Sequence, residues 1–284
     1  MGSILWLASY PRSGNTWLRA LLHNYLRNTA EPYDINKLRD LTTIDSDARW
    51  YRMFDPRPCE TLTKEEVAAL RPKVHEAITR SRPDTVFVKT HNALVIDRGT
   101  AMISEEYTAG AIYVVRNPLD VAASYSVHFG VSLDEAVAAM NRPGNQSKSN
   151  EPRFAYEFHG SWSENVESWT GRDTKGIHIV RYEDLQVAPE ESFGAIVRFL
   201  GLPAGGERLQ RAIGNSAFPV LQAQERKAGF RERSRKSDTF FRTGRSGEGA
   251  ERLSPDQIER LQQAHETQMR KFGYWPSSDH VHEH

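Results

Sequence analysis

The segment Leu5-Trp6-Leu7-Ala8-Ser9-Tyr10-Pro11-Arg12-Ser13-Gly14-Asn15-Thr16-Trp17 constrains this chain most. An apolar strand pattern enters a tight turn, and a leucine-rich helical pattern follows at once (Leu18, Leu21, Leu22, Leu26). The N–H groups that open a helix have no intrahelical partner and carry partial positive charge, so a turn of this kind suits a phosphate or sulfate. Gly14 lets the backbone approach the anion, Ser13, Asn15 and Thr16 supply side-chain donors, and Arg12 adds a full positive charge.

Two other readings of the turn stand beside this one. A Walker A loop needs Gly, four residues, then Gly-Lys-Ser/Thr; one glycine and no Gly-Lys pair disfavour a kinase or GTPase. An ordinary strand-to-helix turn would leave the same residues without a ligand.

Further strand patterns run over Ser3 to Ser9, Thr85 to Thr90, Ala111 to Arg116 and Ile177 to Arg181. Helical patterns separate them at Thr16 to Arg27, Lys64 to Arg80, Pro118 to Phe129, Leu133 to Met140, Trp162 to Thr170, Glu190 to Leu200 and Pro255 to Phe272. This alternation predicts an α/β fold, a single domain with a central parallel sheet flanked by helices. Ligands of such sheets bind at the carboxyl ends of strands. Three segments obey that rule: the Pro11–Thr16 turn, Lys89-Thr90-His91, and Arg116-Asn117. Pro32 to Thr61 and Asn141 to Phe158 interrupt the pattern and read as binding loops or lids.

With 284 residues the chain can bury a large core, and nothing in it argues for a linker between domains. Its 37 basic residues balance 37 acidic ones, so no global field draws it to nucleic acid or membrane. The single cysteine, Cys59, excludes an intramolecular disulfide and fits a reducing compartment. The apolar start is too short for a signal-peptide core, and no stretch has the ~20 apolar residues of a membrane span; a cytoplasmic location is expected. Charge is uneven locally. Between Arg226 and Arg245 eight basic residues face only Glu232 and Asp238. Most of that run reads as a solvated loop, and part of it as a lid over an anion.

Five segments together resemble the sulfotransferases that use 3′-phosphoadenosine 5′-phosphosulfate. Tyr10 to Trp17 resembles their P-loop-like 5′-phosphosulfate loop, and Lys89-Thr90-His91 their catalytic tripeptide. Arg116-Asn117-Pro118-Leu119-Asp120-Val121-Ala122-Ala123-Ser124 resembles their 3′-phosphate motif, while Tyr182-Glu183-Asp184-Leu185 and Phe240-Phe241-Arg242-Thr243-Gly244 resemble two further segments. The matches come in family order and span residues 4 to about 250.

The resemblance implies a sulfotransferase domain over residues 1–275, with 276–284 a disordered tail. It implies that Arg12, Ser13, Gly14, Asn15 and Thr16 hold the 5′-phosphosulfate, and that Trp17 stacks on adenine. Arg116, Ser124, Arg242, Thr243 and Gly244 are then placed at the 3′-phosphate, with Tyr182, Ser216, Phe218 and Phe240 completing the nucleotide site. The reaction implied is in-line transfer of a sulfuryl group to a hydroxyl or amine. His91 would be its general base, Arg12 would stabilise the leaving oxygen, and Lys89 would support the sulfuryl. No step needs a metal, and the spacing of the tail histidines His280, His282 and His284 fits no closed site.

Arg12 stands where cytosolic members usually have lysine, and Thr243 where many have lysine. The dimerisation motif of the animal members is not recognisable around Gly247 to Glu259, so no oligomer is carried over. His128 and His159 compete with His91 as bases but read as pocket or surface residues. Trp50, Tyr51, Phe54, Phe154, Tyr156 and Phe158 hint at a small hydrophobic or aromatic acceptor. An ATP-dependent phosphotransferase and an inactive nucleotide-binding module are the remaining alternatives.

Overall fold

The structure is a computed structural model, and residues 2–147, 152–171 and 176–276 are described. Its centre is a parallel sheet of five strands: β1 (Ile4–Ser9), β2 (Thr42–Ile44), β3 (Val86–Thr90), β4 (Thr108–Val115) and β5 (Ile177–Arg181). Their order is β2-β3-β1-β4-β5. β1 lies in the middle, with Ala8 beside Thr90 of β3 and Ser9 beside Val114 of β4. The chain leaves β1 toward the β3 side and returns on the β4 side. The carboxyl end of β1 is therefore the point where strand order switches, and a crevice opens there.

Alternation along β1 assigns its side chains to two cores, as a strand buried on both faces requires. Ile4, Trp6 and Ala8 join Val86, Val88 and Tyr113 against helices Lys64–Arg80 and Trp162–Thr170. Leu5 and Leu7 join Ile112, Val114 and Val180 against helices Asn15–Arg27 and Pro189–Phe199.

Helices Lys64–Arg80, Pro118–Phe129 and Trp162–Thr170 have the expected bounds, and local chemistry fixes their starts. Thr63 with Glu66 and Ser161 with Glu164 form capping boxes, and the Asn117 side chain accepts from the Leu119 N–H ahead of a proline at the first turn. Several elements differ from expectation, three of them large or close to the sheet. The Pro32–Thr61 segment is not wholly irregular, because Thr42–Ile44 pairs with β3 as an edge strand too short to show a period. Helices Gly206–Asn215 and Phe218–Ala228 lie where no element was expected. The first carries a short apolar stripe of Leu209, Ala212 and Ile213, whereas the second buries only Leu221 and Glu225, too few for one.

Cys59 is buried and free. Among the described residues no helix is long and apolar enough to cross a membrane. The tail histidines lie outside the described residues.

Candidate active site

Ser9 ends β1, Tyr10–Gly14 turn, and the helix begins at Asn15. The Ser13 N–H donates to the Tyr10 carbonyl at 3.3 Å, and Arg12 and Gly14 both take positive φ, +68° and +106°. No side chain caps the helix, so its first N–H groups stay directed at the turn. The Ser13 hydroxyl is buried and has no partner among the described residues. A β-carbon on Gly14 would sit 2.5 Å from Tyr182 Cδ2. Gly14→Ala should cost about 1–3 kcal/mol through that clash and the positive φ, read as a fall in the urea midpoint. An unchanged midpoint would contradict the tight packing of turn on Tyr182.

Asn15 corrects the sequence reading. Its side-chain amide donates to the Leu7 carbonyl at 2.8 Å and to Ser9 Oγ at 3.4 Å, tying the helix start to β1. Only its backbone N–H faces the turn, whereas Thr16 is half-buried at the first helical turn.

Cations from two further segments, Arg116 and Arg242, join Arg12 at this turn. Arg12 Nε donates to Ser124 Oγ at 3.1 Å, its Nη1 donates to His128 Nδ1 at 3.3 Å, and its guanidinium lies 4.4 Å from the centre of the Phe240 ring. Burial first, then Arg116 and Arg242, push Arg12 down to about 9. A half-buried arginine next to two others is stabilised by an anion. Arg116 Nη1 donates to the Arg12 carbonyl at 3.2 Å, its guanidinium stacks 4.3 Å over Tyr182, and its Nε is buried without a partner. Ser124, expected at the 3′-phosphate together with Arg116, here accepts from Arg12, which reaches across the turn to it. Arg242 pairs with Glu248, and Thr243 Oγ1 donates to the same carboxylate at 2.8 Å. Within the basic run Arg242 and Arg245 are neutralised by Glu248 and Glu251, whereas the run's own Glu232 is taken at 2.8 and 2.9 Å by Arg19 of the helix after the turn.

Trp17, Tyr182, Phe218 and Gly244 pack as a cluster beside the turn. Trp17 and Tyr182 meet edge to face at 5.4 Å, and a β-carbon on Gly244 would sit 2.3 Å from the Phe218 ring. Ser216 acts indirectly. It is fully buried, its carbonyl accepts from Trp17 Nε1 at 2.9 Å, and its hydroxyl accepts from Asn24 at 3.0 Å, so it orients Trp17.

At the end of β3, His91 Nδ1 lies 2.8 Å from the Ser9 carbonyl. A carbonyl only accepts, so Nδ1 carries the proton and Nε2 of the neutral ring is the basic nitrogen. Burial first, then Lys89, hold His91 well below the ordinary histidine value of 6.5. His128 is engaged elsewhere: its Nδ1 accepts from Arg12, and burial, Arg12 and Lys89 lower it to about 3. His159, expected to be a pocket or surface residue, lies beside His91. It packs edge to face with His91 and Tyr10, each at 6.3 Å, and its Nε2 is 3.4 Å from Glu157. The other Glu157 oxygen lies 3.7 Å from Lys89 and takes the Ser46 hydroxyl at 3.2 Å.

Sequence reasoning missed three supporting residues. Glu157 links Lys89 to His159. The buried Asp45 carboxylate accepts from Thr90 Oγ1 at 3.2 Å, Asn92 Nδ2 at 2.8 Å and Arg71 at 3.4 Å, fixing the turn that carries His91. Burial raises Asp45 to about 6. Asn165 Nδ2 donates to the carbonyls of His91 and His159 at 3.1 and 2.8 Å. Only Glu157 carries a sequence signal, a charge among Phe154, Ala155, Tyr156 and Phe158. Of the aromatic residues expected to mark an acceptor, Tyr51 and Tyr156 are instead fully buried in the core around Arg71. Among the described residues no group of three or more His, Cys, Asp or Glu could hold a metal.

The sulfotransferase domain family matches residues 3–273. Sulfotransferase 1B1 of Canis lupus familiaris is 27% identical over 220 residues, 76% of this chain and 65% of that protein. Flavonol 3-sulfotransferase of Flaveria bidentis is 24% identical over 276 residues, 90% of this chain and 78% of that one. The chain spans 65% of the length of 1B1 and likewise of human Sulfotransferase 2A1. Among solved structures, mouse sulfotransferase SULT7A1 complexed with PAP has a TM-score of 0.60 at 18% identity, over 94% of this chain and 84% of that one. Retinol dehydratase with androsterone and inactive cofactor PAP has a TM-score of 0.64 at 17% identity, over 94% and 80%. The fold is shared with both, and the match over nearly the whole length places this chain in the sulfotransferase domain family.

Proposed function

We propose that the chain transfers a sulfuryl group from 3′-phosphoadenosine 5′-phosphosulfate to a hydroxyl or amine of a small, hydrophobic or aromatic acceptor. One observation carries the reading: Arg12 and Arg116, without a carboxylate partner among the described residues, converge on an uncapped helix start and the orphaned Ser13 hydroxyl. These groups fit an anion with oxygens on several sides. The rings of Trp17, Tyr182 and Phe218 supply aromatic faces for a purine beside it. The neighbours crystallised with PAP support that choice of nucleotide, and androsterone in one of them supports a hydrophobic hydroxyl acceptor.

The donor supplies an activated sulfuryl group, and the rest is positioning and charge. The turn's N–H groups and Ser13 hold the 5′ end, and Arg116 with Arg242 holds the 3′ end. Arg12 stabilises charge on the departing oxygen, while Lys89, kept in place by Glu157, faces the sulfuryl. His91, fixed by the Ser9 carbonyl, takes the acceptor proton at Nε2. Incubation with donor labelled in its sulfuryl group and a panel of phenols, hydrophobic alcohols, amines and anionic glycans tests this. Label on phenols, alcohols or amines is the expected result. Label on glycans alone would overturn the acceptor class, and label on none would overturn the transfer reading.

A further inference from the structure

The loop Phe240–Gly249 is fixed along its backbone. Glu225 accepts the N–H groups of Phe240 and Phe241 at 2.8 and 2.9 Å, and Gln222 donates to the Phe241 carbonyl at 3.0 Å. Gln186 donates to the Gly244 carbonyl. Asp120, one helical turn before Ser124, accepts the N–H groups of Gly247 and Gly249 at 3.0 and 2.7 Å. A β-carbon on Gly249 would sit 2.2 Å from the Leu119 carbonyl carbon, so the loop lies directly on the helix that begins next to Arg116. This frame is complete within the protein itself.

The frame presents Arg242 already neutralised. Glu248 takes Arg242 and Arg252 (3.4 Å) on one oxygen and the Thr243 hydroxyl on the other, and only 13% of its side chain is exposed. Three donors thus surround a carboxylate that belongs to the loop. Arg12 and Arg116, the other arginines of the site, have no such partner among the described residues.

We propose that Glu248 is an internal competitor for the 3′-phosphate, a role that rests on the cofactor reading above. To engage the nucleotide, Arg242 must leave Glu248 or hold a phosphate and a carboxylate side by side, and either costs affinity. Thr243, where the family resemblance sets lysine, adds no charge to offset this. The carboxylate thereby lowers affinity for 3′-phosphorylated nucleotides and speeds release of the bisphosphate product, a step that often limits turnover.

Calorimetric titration with adenosine 3′,5′-bisphosphate and with 5′-AMP, which lacks the 3′-phosphate, tests the proposal without any acceptor. Glu248→Gln should bind the bisphosphate about 3- to 10-fold more tightly than the unmodified protein, with 5′-AMP unchanged. Glu248→Asp, whose shorter side chain retreats from Arg242, should gain less, and it carries the test if the glutamine variant does not fold. The gain should vanish in an Arg242→Ala background. Bisphosphate binding that stays equal or weakens in the folded variants overturns the proposal and leaves Glu248 as a loop anchor. Equal tightening of 5′-AMP also overturns it, because the 3′-phosphate would then not be the group in competition. Failure of the unmodified protein and every variant to bind the bisphosphate would instead remove the cofactor reading, and the proposal with it.

Discussion

Replacing His91 with alanine should lower sulfuryl transfer by about 10²–10⁴-fold while adenosine 3′,5′-bisphosphate still binds. The Ser9 carbonyl fixes the protonated nitrogen, so Nε2 is the site of proton uptake, and alanine removes it without touching the anion-binding turn. His128 cannot substitute, because protonating it would set a second cation against Arg12. The pH dependence has a definite sign. Burial and Lys89 hold His91 below 6.5, so the basic form persists into mildly acidic solution. The acid limb of the rate profile should therefore lie below that value, and the rate should be flat through neutrality. A limb at or above 6.5, or full turnover in His91→Ala, would remove His91 as the base. In the second case the couple of His159 with Glu157 becomes the candidate.

Arg12→Ala should be the second large loss, about 10²–10³-fold in transfer rate, with a smaller loss of bisphosphate affinity. Arg12 makes three directed contacts, with Ser124, His128 and the Phe240 face. A lysine can keep the charge but cannot make both hydrogen bonds through a planar fork. Arg12→Lys should therefore restore nucleotide binding more fully than rate. Equal recovery of both would mean that charge alone matters at this position.

The turn, the β3 end and the Arg116 helix were legible in the sequence because each is local chemistry. Strand, small residues and helix start follow one another within a few positions, and Asn117-Pro118 sets its own helix boundary. What escaped is long-range. Glu157 reaches Lys89, and Asp45 reaches Thr90, only because the fold brings distant segments together, and neither has a periodic or capping signal around it. The basic run shows the same limit. Its eight cations can be counted from sequence, but that Glu248 and Glu251 neutralise Arg242 and Arg245, and that Arg19 outside the run takes Glu232 from it, depends on tertiary contacts. Asn15 was misassigned because an amide at a helix start can serve either a ligand or the preceding strand, and here the strand carbonyl of Leu7 takes it.

Thermal unfolding with adenosine 3′,5′-bisphosphate, beside ATP, GTP and 5′-AMP, tests the central claim most directly. A ligand at about 100 times its Kd adds roughly 2.7 kcal/mol to stability. For a chain of this size that raises Tm by several degrees. The account predicts such a shift with the bisphosphate and little with the other three. A larger shift with ATP, or none with any nucleotide, would contradict it.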